Sequence, residues 1–136
     1  MAFFAGLKVK NLEIEKAEVL VKYKWVNQNP FRSIYFAVLS MAAELSTGVL
    51  CFGNMYQRKP SVSMLVVNMK SSFYKKAVGK IVFVCDDGMK IKQAFDNTYA
   101  TGEGQIIECT SKGFNKNNEL VAEFVFTWSV KTKSEK

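Results

Sequence analysis

From Ile34 to Phe52 the chain reads IYFAVLSMAAELSTGVLCF, an apolar run with one charge, Glu44, and no proline. A helix that is hydrophobic all round is a buried one. Pro30, just after Asn29, suits the entry to such a helix, and Gly53-Asn54 gives it a stop. A central helix is therefore expected over about residues 34–53. Its length would also suit a membrane span. However, Ser40, Glu44, Ser46, Thr47 and Gly48 interrupt it, and the chain beyond it reads as strands of a soluble protein, so no membrane association is expected.

The rest of the chain is strand-patterned. Residues Val19 to Val26 alternate, with Val19, Val21, Tyr23 and Trp25 on one face and Leu20, Lys22 and Lys24 on the other. Ser61 to Met69 is more uniformly apolar, as a central strand covered on both faces would be. Lys80 to Cys85, Gln105 to Ser111 and Leu120 to Val130 complete a set of five. In the last, Leu120, Ala122, Phe124, Phe126, Trp128 and Val130 share a face, and the stretch Gly113 to Asn118 turns it back on its predecessor as a hairpin. Between the third and fourth strands, Asp86 or Asp87 can cap a short helix with Ile91, Phe95 and Thr98 or Tyr99 inward, ended by Gly102 and Gly104.

Strands that come after one long helix without alternating with others predict an α+β domain with an antiparallel sheet. A flat sheet would leave much of the apolar helix in water. Exposing even four of its large side chains costs roughly 6–12 kcal/mol, which is a whole domain's stability. The sheet must curl round the helix, or a partner subunit must cover it. At 136 residues the chain is expected to be a single domain, 1–136.

Composition narrows the chemistry. The net charge of +7 favours anionic partners, but the lysines are scattered along the chain as on a solvated surface. Nucleic-acid binding would rest on charge alone, because Tyr23, Trp25, Phe124 and Trp128 alternate along strands as core residues do, and it is not expected. The chain has no histidine, which excludes Ser-His-Asp and Cys-His systems within one chain and any metal site needing imidazole. Cys51, Cys85 and Cys109 form no CxxC pair and sit in apolar runs as free thiols. No metal or other cofactor is expected, and a reducing, cytoplasmic compartment fits the thiols. Phe3, Phe4 and Leu7 do not lead into a long apolar core and cleavage site, so no signal peptide is expected.

Glu44 is the candidate centre. At helical spacing Ser33, Ala37, Ser40, Glu44, Thr47, Gly48 and Cys51 share a small, polar face, while Tyr35, Val38, Leu39, Leu45, Val49 and Phe52 occupy the others. A groove floored by small residues with one carboxylate has room for a ligand. A desolvated carboxylate there can act as general base or nucleophile. The alternative is an interface residue paired with a lysine or arginine.

The segment NPFRSIYFAVLSMAAELSTG, residues 29–48, resembles the central-helix region of hot-dog-fold thioesterases related to the phenylacetate-pathway enzyme, and more closely an uncharacterised branch of that superfamily. The likeness continues through SVSMLVVNMKSSFYKKAVGKIVF and ends in ELVAEFVFTWSV. It implies a hot-dog fold: a curved antiparallel sheet of about five strands wrapped around one long helix, with a second short helix. It also implies acyl-CoA thioesterase activity in a homodimer or homotetramer whose sheets join edge to edge, with the active site at the interface. Asn29 matches the family's upstream Asn, orienting water or substrate, and Glu44 its acid, with Ala42-Ala43-Glu44 in place of a LAD pattern. Tyr35, Phe36 and Ala37 stand where the family has an HGG turn. The oxyanion role then falls to the backbone N–H of Phe36 or Ala37 at the helix start. Tyr35, Ser40 and Thr47 are the expected substrate contacts, and Arg58, Lys59, Lys75 and Lys76 are the candidate cations for coenzyme A phosphates. Glycine at that turn permits close approach of substrate to backbone, and Phe36 narrows it. The second reading is thus a non-catalytic binder of acyl thioesters or other apolar ligands in the same groove.

Overall fold

The structure is a computed structural model that describes residues 7–22 and 36–133, with Phe36 described by its backbone alone. Its elements run β1 (Leu7–Leu12), β2 (Ala17–Lys22), α1 (Phe36–Met55), β3 (Val62–Phe73), β4 (Lys80–Cys85), α2 (Gly88–Thr101), β5 (Gln105–Phe114) and β6 (Leu120–Thr132). The strands form one six-stranded antiparallel sheet in the order β1-β2-β4-β5-β6-β3.

Helix α1 packs against β1, β2, β4, β5 and β6. Five adjacent strands at about 4.8 Å spacing span roughly 19 Å when flat, wider than a helix about 10 Å across. Contact with all five therefore requires the sheet to curl round the helix, as the apolar run demands. Leu39, Ala42, Ala43, Ser46, Thr47, Leu50 and Cys51 are buried against it. The small residues on this side let the helix backbone sit close to the sheet. The other side is only partly covered: Val38, Met41, Leu45 and Val49 are half-buried and Phe52 is 65% exposed.

The sheet holds one strand more than the five expected. LKVKNL, the added β1, has a weak alternation because a bulge between Val9 and Asn11 breaks its period. The β3 run is not a central strand covered on both faces; among the described residues it is an edge strand paired with β6 alone, and Leu65, Val67 and Met69 are exposed. Uniform apolarity does not distinguish a strand buried by its own sheet from one left for another surface to cover. In β6, Ala122, Phe124, Phe126, Trp128 and Val130 are buried as expected, but a bulge near Gly113 turns Val121 inward and leaves Leu120 half-buried. Tyr23 and Trp25 lie outside the described residues.

Helix α2 buries Ile91, Phe95 and Thr98, and Gly102 ends it in the left-handed region with φ 76°. Asp87 precedes it without capping it. Its carboxylate instead accepts the Thr110 N–H at 2.7 Å and so ties the helix start to β5.

Candidate active site on the central helix

Glu44 lies at mid-helix, where the sheet-packed side of α1 meets its open side. Its neighbour Ala43 and, one turn on, Thr47 are fully buried, while Glu44 itself is exposed. It borders a groove of about 270 Å³ lined by Leu7, Met41, Leu45, Gly48, Phe52 and Trp128. Among the described residues of that lining Glu44 alone is charged. Leu7 comes from β1 and Trp128 from β6, so the curl of the sheet brings strands from its opposite halves to this carboxylate.

Gly48 widens the groove. A Cβ there would meet nothing within 4 Å, so no neighbour requires glycine at this position. Glycine inside a helix costs about 1 kcal/mol relative to alanine. The cost is borne beside the Glu44 carboxylate.

A relay of hydrogen bonds holds this stretch of helix. Trp128 Nε1 donates to Thr47 Oγ1 at 3.0 Å, and Thr47 Oγ1 donates to the Glu44 carbonyl at 2.9 Å. At the adjacent residue, the Ser46 and Ser111 hydroxyls meet at 2.7 Å, both fully buried. These two bonds fix α1 to β6 and β5, and with them the position of Glu44 along the groove.

The expected small face is therefore split. Thr47 and Cys51 turn into the fold, Gly48 is buried where it lines the groove, Ala37 and Ser40 are half-buried, and Glu44 alone among the described residues of that face is exposed; Ser33 lies outside the described residues. Phe36 and Ala37 are the first described residues of α1. Asn29 and Tyr35 lie outside the described residues. Arg58 is occupied: its guanidinium is 3.0 Å from Asp96 and 3.9 Å above the Tyr99 ring. Hydrogen bonds from Lys92 and Arg58 hold the Asp96 carboxyl below the usual carboxylate range. Lys75 pairs with Glu119 at 2.9 Å. Lys59 and Lys76 are exposed. Leu7, Met41, Leu45, Phe52 and Trp128 escaped the sequence reading as groove residues. The strand pattern marked Trp128 as core, and at 7% exposure it is both core and wall.

A larger groove of about 470 Å³ lies between Leu12, Glu13 and Ile14 of the β1–β2 turn and Val49, Leu50, Gly53 and Asn54 of α1, with Lys92 at its border. Its acid, Glu13, is held below the usual range chiefly by the Asn11 side chain, which suits it poorly as a base. The three cysteines are equally unsuited to nucleophilic work. Burial pushes the Cys51 and Cys85 thiols up to about 12, and Cys109 is raised for the same reason. Among the described residues no group of three or more His, Cys, Asp or Glu side chains could hold a metal ion.

One long helix held by a curled antiparallel sheet, with its second helix beside it, is the hot-dog fold, and solved structures agree. A protein of unknown function from Pseudomonas aeruginosa, described as a probable thioesterase, superposes with a TM-score of 0.80 at 22% identity, covering 98% of this chain and 89% of its own. A thioesterase from Haemophilus influenzae gives 0.72 at 12% identity over 98% and 84%. A protein of unknown function from Chlorobaculum tepidum gives 0.81 at 13% identity over 97% and 86%. At these identities the likeness establishes the fold. By sequence the chain belongs to the family described as domain of unknown function DUF4442, whose model matches residues 2–130. No curated protein matches it.

Proposed function

We propose that the protein hydrolyses acyl thioesters, with coenzyme A thioesters as the substrate class and Glu44 as general base or nucleophile. The observation that carries this is the Glu44 carboxylate beside an otherwise apolar set of described groove residues on the central helix. The thioesterase descriptions of neighbours with the same fold support it. The acyl group lies along Met41, Leu45, Phe52 and Trp128, which places the thioester carbonyl near Glu44. The carboxylate takes a proton from water as the oxygen attacks the carbonyl carbon, or attacks that carbon itself to give an anhydride that water then opens. The thiolate leaves in either case.

The oxyanion donors come from a second copy. Ala37 and Glu44 are seven residues apart on one helix, and at 1.5 Å per residue that is about 10 Å along the axis. A glutamate side chain does not span that distance, so the start of α1 and its own Glu44 cannot address one carbonyl. Two copies joined along β3 supply the pair in trans. The two outermost strands among the described residues differ: β1 is short, bulged and carries Lys8 and Lys10, whereas β3 is twelve residues long and exposes Leu65, Val67 and Met69. Lysines and bulges protect an edge, and a long apolar edge invites pairing. The partly covered side of α1 is the surface such a partner would bury.

The test is Glu44→Gln against a panel of acyl-CoA substrates. Glutamine keeps the shape but cannot accept the proton, so kcat falls at least ~100-fold with an unchanged melting temperature. Wild-type protein that hydrolyses no member of the panel overturns the enzymatic reading. Ligand-dependent thermal stabilisation without turnover would then favour the non-catalytic binder.

A further inference from the structure

We infer that the groove between the β1–β2 turn and the last turns of α1 is a second ligand site, for an uncharged molecule with an apolar chain and a hydroxyl or amide N–H at one end. It shares no described lining residue with the groove beside Glu44, and the inference holds whether or not the protein hydrolyses thioesters. At about 470 Å³ it falls in the size range of small-molecule sites, roughly 300–1,000 Å³.

Its apolar walls are fixed in place. Leu50 is 2% exposed and lies deepest, while Leu12 and Ile14 line the groove from the turn and stay 52% and 65% exposed, so the fold itself does not cover them. The turn is tied at two points. The Glu13 N–H donates to the Lys16 carbonyl at 2.7 Å, and the Gly88 N–H at the start of α2 donates to the Glu15 carbonyl at 3.0 Å. A Cβ on Gly88 would collide with the Ile14 carbonyl and the Glu15 backbone, so the turn sits hard against α2. On the opposite wall Gly53 leaves its side-chain space open, with nothing within 4 Å of a Cβ there. A wall ordered before binding removes the cost of ordering it on binding.

The charged groups of the described lining are already satisfied within the protein. Lys92 pairs with Asp96 at 2.8 Å. Glu13 accepts a hydrogen bond from Asn11 at 3.2 Å, the chief cause of its lowered pKa. An ionic head group would have to break one of these contacts or lose water beside apolar side chains, and an unpaired buried charge is costly. The remaining polar group is Asn54. Its Nδ2 donates to the Leu50 carbonyl at 2.8 Å. A carbonyl only accepts, so the amide turns its nitrogen to Leu50 and keeps Oδ1 as an acceptor. Among the described residues nothing donates to that oxygen, and Asn54 lines the groove. An O–H or N–H donor matches it, and a carboxylate does not.

Three probes with one chain decide the head group: n-octanol, octanoate and octylamine, each titrated by calorimetry. Octanol should bind, and the two ions should bind at least ~10-fold more weakly. Gly53→Leu fills the groove from an unobstructed position and should weaken octanol at least ~10-fold. Ile14→Ser, at an exposed position, should weaken it several-fold and serves if the leucine lowers the melting temperature. Asn54→Ala removes the acceptor and should weaken octanol by about 5-fold. Gly48→Leu, in the Glu44 groove, should leave octanol binding as in wild type. Absence of octanol binding to wild type overturns the site, as does binding that survives both Gly53→Leu and Ile14→Ser. Loss of binding in Gly48→Leu moves the ligand to the Glu44 groove and overturns it equally. Octanoate or octylamine bound as tightly as octanol overturns the uncharged class.

Discussion

Replacing Gly48 with alanine should move stability and function in opposite directions. The helical backbone disfavours glycine, and alanine there restores about 1 kcal/mol. An added Cβ meets nothing within 4 Å, so no clash offsets the gain. For a domain of 136 residues this raises the melting temperature by about 3–5 °C. The new methyl group, however, projects into the groove beside Glu44, where it narrows the space for an acyl chain. Gly53 supplies the control. It is on the same helix, its Cβ would also be unobstructed, and it lines the other groove. Gly53→Ala should stabilise similarly and leave turnover intact. The assay is a thermal melt on each variant with kcat/KM for one acyl-CoA substrate, where Gly48→Ala should fall several-fold through KM. A Gly48→Ala protein that melts lower than wild type would show that the space is filled. One that melts higher with unchanged KM would show that the groove is not where the substrate goes.

Leu65→Lys with Met69→Lys places charges on the exposed face and edge of β3, and should convert a dimer to monomer by analytical ultracentrifugation; an unchanged sedimentation coefficient would place the interface elsewhere. The buried thiols predict alkaline unfolding. Their folded pKa values are raised from 9.0, two of them to about 12, so the folded state keeps protons that unfolded chains release above pH 9, and stability falls as pH rises. Three such groups give a slope of up to about 4 kcal/mol per pH unit, read as urea midpoints from pH 8 to 10.5 under reducing conditions, and Cys109→Ala should flatten it by about a third. A midpoint that does not move over that range contradicts the burial of the thiols. Gly88→Ala should destabilise by about 3 kcal/mol, because its Cβ would collide with the Ile14 carbonyl and the Glu15 backbone where α2 begins. A near-neutral urea midpoint would mean that the β1–β2 turn yields easily.

The elements whose period the core dictates were legible without coordinates. The apolar run from Ile34 became α1, beginning at Phe36 among the described residues, and KIVFVC became β4 with the same bounds. Ile91, Phe95 and Thr98 face inward in α2 because a helix packed on one side must repeat its apolar positions every three to four residues. What failed was whatever depends on context beyond the local period. A bulge hid β1, and another shifted Leu120 away from the core-facing row of β6. The edge position of β3 could not be read from SVSMLVVNM, since burial by a partner and burial by the same sheet select the same residues. Asp87 looked like a helix cap because aspartate before a helix usually is one; Thr110, twenty-three positions away, competes for its carboxylate.

The site was legible only in its charge. One glutamate in a long apolar helix is costly enough to call for a reason, and that marked Glu44 before any fold was known. Its surroundings could not be inferred in the same way, because Leu7 and Trp128 are separated by most of the chain and meet only through the curl of the sheet. Helical spacing put Thr47 on the ligand face, yet its hydroxyl accepts from Trp128, and that partner exists only once β6 lies against α1. Counting basic residues near the helix likewise favoured Arg58 and Lys75, whose carboxylate partners are thirty-eight and forty-four positions away. A charge's partners, more than its presence, decide whether it is available to a ligand, and antiparallel pairing sets those partners over distances that no local pattern records.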